Sequence, residues 1–140
     1  MARIKESNFG DTSFQRLLGH NLEVMQGWCY LGNVLEKEGL LSAELKEQVR
    51  RTLAQKNGCE YCKAKGKPEF SRFDEKTSIA VAFTEVFLKQ KGEISDSSFK
   101  ILREYMTEGE ISELCAFISF TTASQYFGAM MKLEPVRNQQ

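Results

Sequence analysis

Histidine, proline and net charge are all scarce in this 140-residue chain, and each scarcity narrows what it can be. With one histidine, His20, and no second Cys-x-x-Cys, few ligands are available for a structural zinc site, which wants four. Only two prolines occur, Pro68 and Pro135, and no segment alternates polar and apolar residues as a strand would, so the organisation reads as a run of helices. Nineteen basic residues balance nineteen acidic ones, giving a formal charge of zero, and neither half is strongly biased. No nucleic-acid or acidic-membrane partner is therefore expected. Residues 1–7 contain no apolar run, so no secretory signal is expected. The most apolar stretch, residues 111–131, is interrupted by Glu113 and Gln125 and reads as a buried helix, not a membrane span. No glycine loop of the kind that cradles phosphate is present, and no organic cofactor or metal is expected. Isolated glycines such as Gly58 and Gly66 read as helix punctuation. A cytoplasmic protein with one domain over residues 1–140 follows, its core spanning about 14–135 and its ends, residues 1–8 and 134–140, expected to fray.

Caps and periodicity place the helices. Asn21 can cap one whose apolar positions Val24, Trp28, Leu31 and Leu35 share a face. Gly39 breaks the chain, and Ser42 can cap a second helix with Leu45, Val49 and Leu53 inward. Asn57-Gly58 is a stop, because both residues tolerate the left-handed backbone that ends helices. A short helix beginning near Cys59 ends by Gly66 and Pro68. Ser71 with Asp74 opens the next, which turns Ile79, Phe83, Val86 and Phe87 inward. Ser95 precedes a helix with Phe99, Leu102 and Met106, and Thr107 with Glu110 forms a capping box ahead of the long final helix. Apolar residues surround most of that last helix, so it is either central to the core or buried against another subunit. The residues Ala116, Phe117, Ile118, Phe120, Tyr126, Phe127, Met130 and Met131 exceed what one helix face can hide.

The chemistry-bearing motif is Asn57-Gly58-Cys59-Glu60-Tyr61-Cys62. Two cysteines three residues apart can form a reversible disulfide, supply half of a metal site, or be inert. In a cytosolic chain such a pair is catalytic or metal-binding more often than permanently bridged. At a helix start, unpaired backbone N–H groups favour the thiolate, which is the attacking form. Lys63, Lys65 and Lys67 push the same way and Glu60 pushes back. Tyr61 packs its ring and exposes its hydroxyl, or serves as a proton donor. Cys29 and Cys115 lie on apolar helices and read as core residues. His20 precedes a helix cap and reads as a local hydrogen-bonding residue. Glu47, four residues before Arg51, reads on spacing alone as half of an exposed ion pair.

The hexapeptide resembles the signature of the carboxymuconolactone decarboxylase superfamily, in its alkylhydroperoxidase D-like branch. The stretch Phe14-Gln15-Arg16-Leu17-Leu18-Gly19-His20-Asn21 is similar to family N-termini, and Glu110-Ile111-Ser112-Glu113-Leu114 onward is similar to the family's closing helix. The resemblance implies an all-α, single-repeat domain of about six to seven helices that assembles as a homo-oligomeric ring, a homotrimer or homohexamer. It also implies a weak peroxide reductase whose Cys62 attacks a hydroperoxide and whose Cys59 resolves the sulfenic acid into a disulfide, with a disulfide-reducing protein or small thiol as reductant. The family pattern places a glutamate on Glu47. The histidine of the same pattern falls on Gly66, so a group that would help deprotonate the thiol is missing. Two alternatives accompany this reading. One is a non-catalytic or redox-sensing ring that has lost the histidine. The other is a lactone decarboxylase, a chemistry with no use for a dithiol.

Overall fold

The computed structural model describes residues 1–136 and is all helical, with seven α-helices and one 3-10 turn. In chain order they are α1 (Ser13–Leu18), α2 (Leu22–Glu36), α3 (Ala43–Ala54), α4 (Glu60–Lys63), the 3-10 turn Phe70–Arg72, α5 (Glu75–Gln90), α6 (Asp96–Tyr105) and α7 (Glu108–Met130). Side chains satisfy the open N–H groups at most of the helix starts. Asn21 accepts from Val24 N–H, Ser42 from Leu45 N–H and Asp74 from Thr77 N–H. Capping boxes close α1 (Thr12 with Gln15) and α7 (Thr107 with Glu110). Ser95 is different, because its hydroxyl bonds Ser97 and Ser98 and not the α6 backbone. The helix expected to open at Ser71 begins four residues later, at Glu75. Ser71 belongs to the 3-10 turn, and Asp74 provides the cap.

The core forms where α3 packs between α5 and α7. Leu45, Val49 and Leu53 line the buried face of α3, as their spacing of four predicts, against Ala80, Val81, Phe83, Leu114, Phe117 and Ile118. α7 runs through the centre, and its apolar girth is explained largely by neighbours on several sides, α2, α3, α4 and α6. Tyr126 and Met130 remain exposed at its far end. Between α2 and α3, the buried ammonium of Lys46 donates to the Lys37 carbonyl at 2.8 Å and lies 3.5 Å from Glu113 of α7. Glu113 also accepts from Leu41 N–H, so one carboxylate ties the loop to α7.

The α2 expectation is corrected. Only half of the α2 stripe is inward. Leu35 is buried and Trp28 packs toward α7, whereas Val24 and Leu31 are 46% and 45% exposed. The physical reason is helical angle: at 3.6 residues per turn Trp28 and Leu35 fall on one edge of the stripe and Val24 and Leu31 on the other, which turns outward. The N-terminal residues make contacts with the rest of the chain. Arg3 N–H donates to the Met131 carbonyl, Ser7 N–H to the Arg16 carbonyl, and the Met1 ammonium pairs with Glu134. Of the C-terminal stretch expected to fray, residues 137–140 lie outside the described residues. No helix among the described residues is long and apolar enough to cross a membrane.

Candidate functional site: a cysteine pair beside a cleft

α3 ends at Ala54, and Gly58, with φ of 79°, makes the turn that presents the dithiol. A side chain at that φ would be strained, which accounts for the glycine. Asn57, by contrast, acts through its side chain. Its amide donates to Gln125 Oε1 at 2.8 Å, and Gln125 Nε2 donates to the Arg50 carbonyl at 3.2 Å. Gln125 is 2% exposed, so this buried chain fixes the segment before Cys59 to both α3 and α7.

Cys59 is the N-cap of α4, and its sulfur accepts the Cys62 N–H at 3.2 Å. Cys59 and Cys62 are joined as a disulfide with Cα atoms 5.2 Å apart. They are 1% and 8% exposed and form a small apolar cluster of their own with Ala54, against Tyr61 and Ala129. Room for the Cys59 sulfur exists only because residue 128 of α7 is glycine, where a Cβ would stand 2.6 Å from Cys59 Sγ.

Beside the pair lies a cleft of about 310 Å³, bounded by α1, α2, α3, α4 and α7. Cys62 lines it and Cys59 does not. One part of the wall is aromatic, from Phe14, Trp28 and Phe120, with the Trp28 and Phe120 rings 5.4 Å apart. The Trp28 indole N–H is satisfied by Ser124 Oγ at 3.0 Å. Another part is charged, from Glu36, Arg50 and Lys65. Tyr61 also lines the cleft, half-buried, with the Lys65 ammonium 4.6 Å from its ring centroid. The Lys65 side chain is exposed overall, yet packing around its head lowers its pKa. The Arg50 guanidinium pushes the same way, and Glu36 and Glu47 oppose it.

Glu47 reaches Cys62 only through an intermediary. Its carboxylate accepts from Arg50 Nε and Nη2 at 2.9 and 2.7 Å and from Arg51 Nε at 3.0 Å, while Arg50 Nη1 donates to the Cys62 carbonyl at 3.1 Å. Burial pushes the Glu47 pKa up, but the two guanidiniums outweigh it and hold the group below its ordinary value. Glu47 faces a second cavity of about 380 Å³, which shares Glu36, Arg50 and Lys65 with the first. The ion pair with Arg51 expected from spacing is present, and Arg50 joins it.

Gly66, where the pattern that the hexapeptide resembles has a histidine, has φ of 126°. A Cβ there would lie 3.3 Å from the Arg51 guanidinium. Both the backbone and its neighbour therefore disfavour any side chain at this point. His20 is exposed, with Nε2 2.6 Å from the Lys5 carbonyl, and does not line the cleft. Cys115 packs against the core as expected. Cys29 departs from expectation. It is half-buried and lines the same cleft as Cys62, because its side of α2 faces α1 and α7 across that space, and desolvation raises its thiol pKa. Among the described residues, no group of three or more His, Cys, Asp or Glu is arranged to hold a metal ion.

Sequence reasoning also missed Arg50, Gln125 and Gly128. Arg50 was legible in principle, three residues after Glu47 on one helix. A glycine inside a long apolar helix signals a packing reason, and at Gly128 that reason is the Cys59 sulfur. No sequence signal marks Gln125 as the partner of Asn57, 68 residues away.

No protein-family model matches the sequence, and no curated protein matches it. Among solved structures, the chain is similar in fold to an uncharacterized peroxidase-related protein from Silicibacter sp. TM1040. The two share a TM-score of 0.76 and 16% sequence identity, over 89% of this chain and 76% of that one. The likeness is one of fold, and it extends to nearly the whole helical arrangement described above.

Proposed function

We propose that this protein is a dithiol redox protein that reduces hydroperoxides through a Cys59–Cys62 disulfide. The observation that carries this reading is the asymmetry of the pair: Cys62 lines the cleft, and Cys59 sits behind it, fully buried, within bonding distance. An attacking thiol must meet substrate, whereas a resolving thiol need only meet the oxidised sulfur. In the reduced protein the Cys62 thiolate attacks the distal peroxide oxygen, the O–O bond breaks, and an alcohol leaves. The Cys59 thiolate then attacks the sulfenic sulfur, forming the disulfide and releasing water. A disulfide-reducing protein or small thiol returns the pair to the dithiol. Glu47 acts as a positioning residue, holding Arg50 on the Cys62 carbonyl; its lowered pKa makes it a poor base. The likeness to a peroxidase-related protein supports this assignment of chemistry.

The same reading assembles copies of the chain as a ring, a homotrimer or homohexamer, in the cytoplasm. Support comes from the exposed Leu22, Val24, Tyr30 and Leu31 of α2 and from Tyr126 and Met130 of α7, large apolar residues without cover in one copy. Light scattering at micromolar concentration giving a monomer would overturn the assembly.

A sulfenic-acid trap tests the assignment of the sulfurs. After one equivalent of hydroperoxide, Cys59→Ser should accumulate a trappable sulfenic acid at Cys62, and Cys62→Ser should accumulate none at Cys59. The reverse pattern would exchange the roles. The competing reading, a ring that senses redox state without turnover, is favoured by Gly66, which removes the family's histidine. It gives a disulfide that forms slowly and never cycles.

A further inference from the structure

The reading above leaves a chemical vacancy. Peroxide reduction needs a group that keeps the Cys62 thiol ionised and another, or the same one, that protonates the departing alkoxide. Most candidates near Cys62 are already engaged. Arg50 directs Nε and Nη2 to Glu47 and Nη1 to the Cys62 carbonyl. Glu47 is doubly paired with arginines and does not line the cleft that holds Cys62. His20 bonds the Lys5 carbonyl outside that cleft. Position 66 has a positive-φ backbone that strains any side chain, and a Cβ there would press on the Arg51 guanidinium.

Lys65 is different. It immediately precedes Gly66, lies three residues after Cys62, and lines the cleft together with Cys62. Among the described residues its ammonium makes no ion pair; its one specific contact is the face of the Tyr61 ring. It also lines the second cavity, so it borders two spaces, one with the sulfur and one without. The charged or titratable groups around it are Cys29 and Glu36 from α2, Lys46, Glu47 and Arg50 from α3, and Tyr61 and Cys62 from α4. The carboxylates are placed to keep the ammonium charged, and Arg50 and desolvation to make its proton easier to give up.

We propose that Lys65 is the catalytic acid of this site, taking over the work that the family pattern gives to histidine. This rests on the peroxide-reducing reading above. In the resting dithiol the Lys65 ammonium stabilises the Cys62 thiolate. Thiolate attack on ROOH forms the S–O bond and breaks the O–O bond, giving Cys62–SOH and RO⁻. Lys65 donates a proton to RO⁻ and becomes the neutral amine. The amine takes the proton of the Cys59 thiol, and the resulting thiolate displaces hydroxide from Cys62–SOH. Lys65 protonates that hydroxide to water and is recharged from solvent. The sum is two thiols and ROOH going to disulfide, ROH and H₂O.

Two variants and two readouts test it. The Cys62 pKa is measured in a Cys59→Ser background from the pH dependence of iodoacetamide alkylation, followed at Cys62 by peptide mass spectrometry. Peroxide consumption is followed separately in proteins with both cysteines. Lys65→Met should raise the Cys62 pKa by about one unit, the loss of a nearby opposite charge. Lys65→Arg should keep that pKa low, since the charge is retained, but a guanidinium does not surrender its proton. Peroxide reduction in Lys65→Arg should therefore fall at least about a hundredfold, the low end of what a general acid contributes. An unchanged Cys62 pKa in Lys65→Met, or full turnover in Lys65→Arg, would overturn the proposal. Should the wild-type protein not consume peroxide while Lys65→Met still shifts the Cys62 pKa, the peroxidase reading and the proton-donor step fall and the thiolate-stabilising role stands.

Discussion

Replacing Gly128 by alanine isolates the contact on which the dithiol's placement depends. Two effects compete. Alanine is favoured over glycine in a helix interior by about 1 kcal/mol. Against this, the new Cβ would stand 2.6 Å from Cys59 Sγ and 3.6 Å from its Cβ, with Cys62 Sγ at 3.7 Å. Cys59 cannot easily retreat, being 1% exposed, bridged to Cys62 and bonded to the Cys62 N–H. Overpacking of this kind costs about 1–3 kcal/mol. The net expectation is a loss of about 0–2 kcal/mol from these two terms. Gly27 supplies the control. It lies within α2 with nothing within 4 Å of where a Cβ would be, so Gly27→Ala should stabilise by about 1 kcal/mol. Urea denaturation of the oxidised proteins, compared at equal m-values, measures both. If Gly128→Ala were as stabilising as Gly27→Ala, the tight approach of α7 to the Cys59 sulfur would be refuted.

Asn57→Ala should cost about 1–3 kcal/mol, because it strands the buried Gln125 Oε1 without its donor; urea midpoints check this, and a change near zero would mean that the amide pair does not hold the segment. Glu47 has a folded pKa below its ordinary value of 4.5, so its contribution to stability is full above that value and is lost as pH falls through the lowered folded pKa. The stability difference between wild type and Glu47→Gln, measured by urea denaturation across acidic pH, should therefore be largest near neutrality and shrink on acidification. An opposite trend would contradict the paired carboxylate. The magnitude should be modest, since the side chain is 41% exposed and solvent screens the pair.

Much of the fold was legible because local chemistry and tertiary packing agree along the core helices. Leu45, Val49 and Leu53 repeat at one helical face and have helices on either side to meet them. Asn21, Ser42, Thr107 and Glu110 act at helix ends through bonds that span only a few residues, so sequence carries their whole geometry. Legibility fails where a residue's role is set by a distant partner. Val24 and Leu31 look as inward as Trp28 and Leu35 until the position of α7 is known. Cys29 reads as core because an apolar helix gives no hint that a cleft opens beside it. The cysteine pair itself was plain from spacing, which left a disulfide, half of a metal site or an inert pair open, and a joined pair is what the structure holds. Its supports were not plain: Gly128 and Gln125 come from α7, far along the chain. Position 66 shows the limit of pattern alone. Sequence reveals only that glycine stands there, whereas the structure shows a positive-φ backbone that strains any side chain and an arginine that a Cβ would press on.

The central claim is that Cys62 and Cys59 form a cycling peroxide-reducing dithiol. The most direct test mixes fully reduced protein with an alkyl hydroperoxide in a stopped-flow instrument, with a dithiol reductant present to allow turnover, and maps the quenched product by peptide mass spectrometry. The account predicts peroxide consumption well beyond one equivalent per chain, passage through a Cys59–Cys62 disulfide, and no turnover in Cys62→Ser. Consumption that stops at one equivalent, or turnover that survives Cys62→Ser, would contradict it.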